Sequence, residues 1–488
     1  MTIVKSAADI TPTLEELFEK HTGKKPESIT PLAASGSDRK YFRMTEGKTS
    51  IIGTYNENVN ENNSYFYFTD LLLKHEIHVP EIYLKSKDKR YYLQQDLGDV
   101  SLFAHLMQEG FTEQVKEHFR QALHELIKLQ WVAGTQANYD QCFATKRFDE
   151  QAIMADLMYF KYYFADLQKI HYDKRAVLNE MEEWSKELGR IQPQTLMYRD
   201  FQSRNIMLHE GKTYLIDYQG AMQGPPQYDI ASLLWQAKAQ LPQQWKEDLL
   251  RDYIEKSGEY PVARVEELYF RKAYQHFVLL RLLQVLGAYG FRGLMEKRPH
   301  FISSIAPALK NMEQFLSDNP QLPNYPNFRK LLEAVSAPSV QARYTPAFTD
   351  GSSKLHVQIN SFSYKTGLPE DKSEHGGGFI FDCRGILNPG RYEEYKYLTG
   401  KDESVQYFLR DKTAMPQFLE HVFSLVSINV NEYLQRGFDH LSISFGCTGG
   451  QHRSVFAAEQ LAKYLEQKYG LKPALKHLNK KKWLLEKK

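Results

Sequence analysis

Apolar positions recur along this chain with two different periods, and the order in which the periods alternate predicts its architecture. Residues 12–21 place apolar side chains at helical spacing, and Thr13 with Glu16 three residues later forms a capping-box pattern that predicts the helix start. In SGSDRKYFRMTEGKTSIIGTY the apolar positions alternate, which predicts strand, polar turn and strand. ENNSYFYFTDLLLKHEI returns to helical spacing and is closed by His78-Val79-Pro80. YYLQQDLGD then reads as a strand entering a connector that Gly98 frees to turn. Helical periodicity follows at 102–133, 148–167, 174–189, 227–240, 244–256 and 263–289, interrupted by a loop and strand pair around 197–218.

Two stretches of linker composition come next, DNPQLPNYPNF at 318–328 and SAPSVQARYTPAF at 336–348. Beyond them the pattern predicts strands at 353–364, 378–383 and 440–446, with helices at 415–436 and 453–469. The expected division is a sheet-rich small lobe over residues 1–98, a helical large lobe over 99–335, a linker over 336–350 and a separate α/β domain over 351–488.

Composition changes this picture little. The 488 residues are 42% hydrophobic and 25% charged, as in globular domains. HFVLLRLLQVLGAYGF carries Arg281 and Gln284 and reads as too short and polar to span a bilayer, and the first dozen residues lack the pattern of a secretory signal. Three cysteines without metal-ligand spacing point to a reducing cytoplasm. The net charge of +2 hides a basic end: from Leu471 onward there are seven lysines and one glutamate, a run that meets phosphates or forms a solvated helix face.

The sharpest chemistry lies in YRDFQSRNIM and LIDYQG. Asp200 and Asn205 stand five positions apart and Asp217 ends an apolar run, the spacing of kinase catalytic and metal loops, with Tyr198 where His is usual. Phosphoryl transfer asks for one carboxylate to orient the attacking hydroxyl, and for an amide and a second carboxylate to hold Mg²⁺ on ATP. Asp200 is therefore the expected catalytic base, and Asn205 and Asp217 the expected Mg²⁺ ligands. ATP is expected against the connector, with Gln95 and Asp96 beside it. The strand IIGTY has no lysine for the phosphates, so Ser37, Arg39, Lys40 and Arg43 in SGSDRKYFR are the expected source of charge and backbone N–H groups. Aromatics at 158–164 and 267–276 read as core packing.

In the last domain, LSISFGCTGGQHRSVFAAEQL runs from an alternating strand through a Gly-rich turn into a helix. Gly446, Gly449 and Gly450 let N–H groups converge at a helix N-terminus, and Arg453 adds a phosphate fork, which predicts an anion site. Cys447 and Arg453 also have the spacing of a Cys-dependent phosphatase loop, but Gly446 replaces the usual His and no Trp-Pro-Asp segment is present.

Over about residues 10–330 the chain resembles the aminoglycoside phosphotransferase-like kinases, on YRDFQSRNIMLHEGKTYLIDYQGAMQGPPQYDIASLLWQ. Within them it resembles the anomeric amino-sugar kinases, on SDRKYFRM, HVPEIY, RFDEQAIMADLMYFKYYF and RLLQVLGAYG. Residues 353–488 resemble the C-terminal domain of the RNase adapter protein family RapZ, on SFSYKTGLP, FIFDCRGILNPGRY, LTGKDESVQYF and FGCTGGQHRSVFAAEQLAKYL. The resemblance implies fold class α/β and α+β, a two-lobed protein-kinase-like fold plus an α/β RapZ-type domain. It implies an ATP- and Mg²⁺-dependent kinase of N-acetylmuramate or N-acetylglucosamine acting at C1, with Asp229 in a structural role. It further implies a C-terminal site for an amino-sugar phosphate such as glucosamine-6-phosphate at Lys365, Asp382, Arg384, Cys447, Thr448, Gly449, Gly450, His452 and Arg453, with RNA and a second copy of the chain as further partners. The rival readings are a degenerate kinase-fold scaffold that binds RNA and the phosphatase centred on Cys447.

Overall fold

A computed structural model describes residues 7–32, 39–260, 266–296, 298–345, 355–370, 378–436 and 438–484. The chain forms two compact units, residues 1–288 with 307–336 and residues 289–306 with 337–488.

In the first unit, β1 (Ser28–Pro31), β2 (Lys40–Glu46), β3 (Thr49–Tyr55), β4 (Ile82–Lys85) and β5 (Tyr91–Gln95) form an antiparallel sheet ordered β1-β2-β3-β5-β4. Strand alternation gives the sheet two distinct faces. Phe42, Met44, Ile51 and Leu93 take one face and pack under Ile10, Leu14, Leu17 and Phe18 of helix Ala7–Thr22. Gly53 sits on that face because a Cβ there would lie 2.8 Å from Met44 Sδ and 3.1 Å from Leu14 Cδ1. The helix starts at Ala7, so Thr13 lies inside it and caps nothing; fully buried Ile10 extends the helix N-terminally past Pro12.

The opposite face packs on helix Val59–Lys74, where the tilted rings of Tyr92 and Tyr65 have centroids 5.6 Å apart and Gln94 Oε1 accepts from the Tyr65 hydroxyl at 2.8 Å. The long helical block expected over 102–133 is two helices, Leu102–Glu109 and Glu113–Trp131. Gly110 at φ +71° turns the chain between them, and the Thr112 side chain caps the second. Helices Glu150–Phe160, Lys174–Gly189, Pro226–Leu234, Gln243–Ser257, Glu267–Tyr289 and Pro326–Ser336, with residues 307–318 of helix Pro299–Asp318, add to the larger lobe. Two ribbons join them: β6 (Thr195–Met197) pairs β9 (Met222–Gly224), and β7 (Ile206–His209) pairs β8 (Lys212–Leu215). The continuous helical stretch Glu267–Met295 is long and apolar enough to cross a membrane, longer than the segment read from the sequence as too short, but Phe277, Leu279, Leu280, Leu283 and Leu286 are buried within this unit.

In the second unit, β10 (His356–Ser363), β11 (Gly378–Asp382), β12 (His440–Cys447) and β13 (Ala474–His477) form a parallel sheet ordered β11-β12-β10-β13. Val357, Ile359, Leu441, Ile443 and Phe445 pack against helices Glu403–Asp411, Met415–Arg436 and Arg453–Tyr469. The fold class read from the sequence holds in both units. Strand β13 was not expected; it takes Ala474–His477 of the basic end into the sheet, while the described lysines there stay exposed, Lys480–Lys482 on a short 3₁₀ turn.

Candidate functional site

The three residues of the kinase-type spacing are joined by a short ladder of hydrogen bonds. Asn205 donates its Nδ2 to the Asp200 carbonyl at 2.9 Å, and Ile216, next to Asp217, donates its N–H to the Asn205 carbonyl at 3.0 Å. The Tyr198 hydroxyl donates to the Ile216 carbonyl, so the residue standing where His is usual ties the Asp200 loop to the Asp217 loop. Asn205 is buried and keeps its Oδ1 as an acceptor, while the Asp217 side chain is 44% exposed. Arg199 and Asp217 both adopt left-handed backbone, at φ +80° and +69°. Such strain collects where surrounding contacts over-determine a functional loop.

Those contacts converge on Asp229. Its buried carboxylate accepts from the N–H groups of Tyr198 at 2.8 Å and Arg199 at 2.9 Å, and from Gln130 Nε2 at 3.0 Å. Burial pushes this carboxyl up to about 7 against the pull of those donors. Arg199 in turn reaches Asp156 at 2.7 Å and the Tyr228 hydroxyl at 2.9 Å. The Asp200 carboxylate meets Arg281 Nη2 at 3.2 Å, a residue 81 positions away on the buried face of helix Glu267–Tyr289. Burial alone would raise Asp200, but Arg281, Arg199 and Arg204 outweigh it and hold the carboxyl below the usual carboxylate range. An aspartate kept ionised beside an amide and a second carboxylate could accept a proton from a hydroxyl, and Asn205 and Asp217 could hold a divalent cation. Among the described residues no cluster of three or more His, Cys, Asp or Glu side chains could hold a metal, so the protein would supply only this amide and carboxylate to the cation.

The expected nucleotide contacts separate. Ser37 lies outside the described residues. Lys40 shares the strand face of Phe42 and Met44, directed toward helix Ala7–Thr22 and away from Arg39 and Arg43. Gln95 pairs with Ile51 on that same face, and Gln94 takes the opposite one, where it is bonded to Tyr65. Arg43 and Asp96 meet each other: Arg43 Nε lies 2.7 Å and Nη2 3.0 Å from the Asp96 carboxylate, and Nη1 reaches Asp99. Asp96 also accepts from Ser50 Oγ and the Gly98 N–H, so the pair staples sheet to connector and neither charge is left for a phosphate. Arg39 alone of these cations meets the catalytic segment, 3.6 Å from Asp217 Oδ1 and 2.5 Å from Glu61 Oε1. Glu61 and Arg281 were missed; the acidic first turn of helix Val59–Lys74 was a readable signal for Glu61, whereas nothing local marks Arg281.

In the second unit the Gly-rich turn is built as a cradle. Gly450 adopts φ +66° and its N–H donates to Cys447 Sγ at 3.2 Å, which also lies 3.1 Å from Ser454 Oγ. Thr448 and Gly449 are exposed at the tip. Gly446 stands where phosphatases carry His because the Tyr364 ring occupies the space a Cβ would need, 2.4 Å away. Arg384 pairs with Asp382 at 2.6 Å and stacks 3.9 Å over Tyr364, and Lys365 is exposed beside Ser363.

Two expected contacts turn elsewhere. Arg453 Nη1 donates to the carbonyls of Cys383, Arg384 and Ile386 at 2.8–3.3 Å, and Nη2 reaches Thr448 Oγ1 at 3.4 Å. Nη1 of the guanidinium is thus committed to the β11 exit carbonyls, which need a donor, while Nε is buried without a hydrogen-bond partner and Nη2 is turned to Thr448 at the tip. His452 Nε2 meets the Tyr395 carbonyl at 2.9 Å, and burial lowers its pKa. The basic end folds back onto the cradle: Trp483 Nε1 donates to the Gly450 carbonyl, and Asn479 Oδ1 accepts from Ser363 N–H.

Residues 28–265 match the phosphotransferase enzyme family, and residues 355–481 match the RapZ C-terminal domain. Similar curated proteins include a nucleotide-binding protein of Cereibacter sphaeroides, 43% identical over 116 residues (24% of this chain, 37% of that protein), and one of Endomicrobium trichonymphae, 38% identical over 118 residues (24% and 39%). The chain spans about two fifths of the length of these relatives. Similar solved structures include the choline kinase LicA from Streptococcus pneumoniae (15% identity, 61% of this chain and 98% of that one, TM-score 0.42) and a choline kinase from Cryptosporidium parvum (13%, 66% and 99%, TM-score 0.46). Two family descriptions thus match successive parts of the chain, a phosphotransferase enzyme over residues 28–265 and a RapZ C-terminal domain over residues 355–481.

Proposed function

We propose that the first unit is an ATP-dependent kinase acting on an amino sugar of the N-acetylmuramate or N-acetylglucosamine class at C1, and that the C-terminal domain senses an amino-sugar phosphate such as glucosamine-6-phosphate. The observation that carries the kinase reading is the hydrogen-bonded ladder from Asp200 through Asn205 to Ile216 and Asp217. Asp200, kept ionised by Arg281, accepts the proton of the acceptor hydroxyl and orients that oxygen. Asn205 Oδ1 and the partly exposed Asp217 carboxylate form an all-oxygen donor pair of the kind Mg²⁺ takes, completed by phosphate and water. When bound there, Mg²⁺ neutralises phosphate charge as it shifts to the leaving oxygen. Tyr198 and Asp229 keep both loops in register during turnover. The sugar assignment rests on the resemblance of segments such as RLLQVLGAYG, which carries Arg281. In the second unit, the exposed Thr448–Gly449 tip with Lys365 and Arg384 around it supports the phosphosugar site, with Arg453 and His452 holding the cradle in shape.

The test is ATP consumption screened over amino sugars and muramic-acid derivatives with wild type and Asp200→Asn, with the product linkage read by phosphorus NMR. An anomeric phosphate formed by wild type and lost in the variant supports the reading. Equal turnover in both, or turnover on none of these sugars, removes it.

A further inference from the structure

Kinase-type sites place a cation on the nucleotide phosphates and tether it to a glutamate on the neighbouring helix. In this chain β3 presents Ile52 and Thr54 to the helix Val59–Lys74 side of the sheet, and Gly53 points the other way, so β3 supplies no cation. A cation nevertheless occupies that side. Arg39, just before β2, is 3% exposed and carries its guanidinium to Glu61 Oε1 at 2.5 Å. The same group lies 3.6 Å from Asp217 Oδ1, 3.3 Å from the Tyr41 hydroxyl and 5.8 Å from the Tyr65 ring centroid. Glu61 is itself held by Asn56 Nδ2 at 3.0 Å, and Gln219 Nε2 donates to Asp217 Oδ1 at 2.8 Å. One nitrogen of this buried guanidinium, Nε, has no hydrogen-bond partner. A buried donor left unpaired is costly, so its persistence beside the Asp217 carboxylate points to an acceptor that arrives with a ligand.

We infer that Arg39, anchored by Glu61, is the cation that binds the polyphosphate of the nucleotide, replacing a strand lysine with an arginine delivered from the preceding turn. The inference rests on the kinase reading above and adds to it the residue pair that makes the site selective for a nucleoside di- or triphosphate over a monophosphate. The anchoring contact to Glu61 is short and the contact to Asp217 long, so Asp217 is the partner that yields when the phosphates and their cation enter. Arginine suits the task because its planar fork keeps one edge on the glutamate while another nitrogen faces the phosphate oxygens.

The experiment is calorimetric titration of the full chain with ATP, ADP and AMP, each without divalent cation, for wild type, Arg39→Ala, Arg39→Lys and the double variant Arg39→Met/Glu61→Met. Far-UV circular dichroism accompanies each titration. ATP and ADP affinity is expected to fall about tenfold or more in Arg39→Ala, a loss of roughly 1.4 kcal/mol or more. AMP affinity is expected to stay within about twofold, and Arg39→Lys to recover part of the loss. The double variant removes both charges, so no buried carboxylate is left unpaired and the fold is kept; it should bind ATP as weakly as Arg39→Ala. A folded Arg39→Met/Glu61→Met protein that binds ATP like wild type overturns the inference, as does an equal loss for ATP and AMP. Where wild type binds ATP only with Mg²⁺ present, the variants are compared with Mg²⁺; if wild type binds none of the nucleotides with or without Mg²⁺, the kinase reading itself falls and this inference with it, and if wild type binds and the Arg39 variants bind equally, only the inference falls.

Discussion

Replacing Asp229 by Asn tests whether the catalytic loop is held in place by a single buried acceptor. The carboxylate takes three donors: Oδ2 accepts from Tyr198 N–H and Gln130 Nε2, and Oδ1 accepts from Arg199 N–H. An Asn in the same rotamer keeps the first two on its amide oxygen and turns its NH₂ toward the third, leaving two buried donors facing each other. One unsatisfied buried donor costs about 1–3 kcal/mol. That is a sizeable share of a domain stability on the order of 5–15 kcal/mol. With a urea slope of about 1–3 kcal/mol per molar, the midpoint should drop by about 1 M. Tryptophan fluorescence reads this unit selectively, since Trp131, Trp184, Trp235 and Trp245 lie in it and Trp483 alone lies in the other. Turnover should fall as well, because Arg199 holds its left-handed backbone next to Asp200 through this contact. The pH dependence has a definite sign. Burial pushes the folded-state carboxyl up to about 7, above the 3.8 of an unfolded aspartate, so the folded state holds a proton that the unfolded state releases between those values. Stability from this group is therefore present at low pH and lost as pH rises through 7, and Asp229→Asn removes that slope. An unchanged urea midpoint together with wild-type turnover would refute the loop-bracing role.

Three further outcomes are expected. Asp200→Asn should lower kcat by about 10²–10⁴-fold with little change in folding, since it removes the base and leaves the Asn205 ladder to the Asp200 backbone intact; a kcat within twofold of wild type excludes Asp200 as base. Arg281→Gln should move the acidic limb of the kcat/KM profile to higher pH, because a carboxyl no longer depressed by Arg281 protonates sooner as pH falls, and an unmoved limb refutes the pairing. Arg453→Lys should destabilise the second unit by about 1.5–3 kcal/mol, read by Trp483 fluorescence in a variant lacking the other tryptophans, because a lysine cannot reach three carbonyls; unchanged unfolding there would return Arg453 to the role of ligand contact.

What the sequence by itself determined is whatever depends on short separations along the chain. The Asp200, Asn205 and Asp217 spacing, the glycines of the cradle and the two strand-helix vocabularies are each set within about twenty residues, where local conformation fixes which groups meet. Tertiary structure decided which face each strand residue takes and which partner each charge finds. Register with β3 put Gln94, not Gln95, toward helix Val59–Lys74, since a shift of one position reverses the side chain. Packing of distant elements turned Arg43 onto Asp96, Arg281 onto Asp200 and Arg453 onto the carbonyls leaving β11. It also paired Ala474–His477 as β13 and brought Trp483 onto the Gly450 carbonyl. A buried charge must be paired with whatever complementary group the fold brings within reach, and composition along the chain carries no record of that group until the chain has folded.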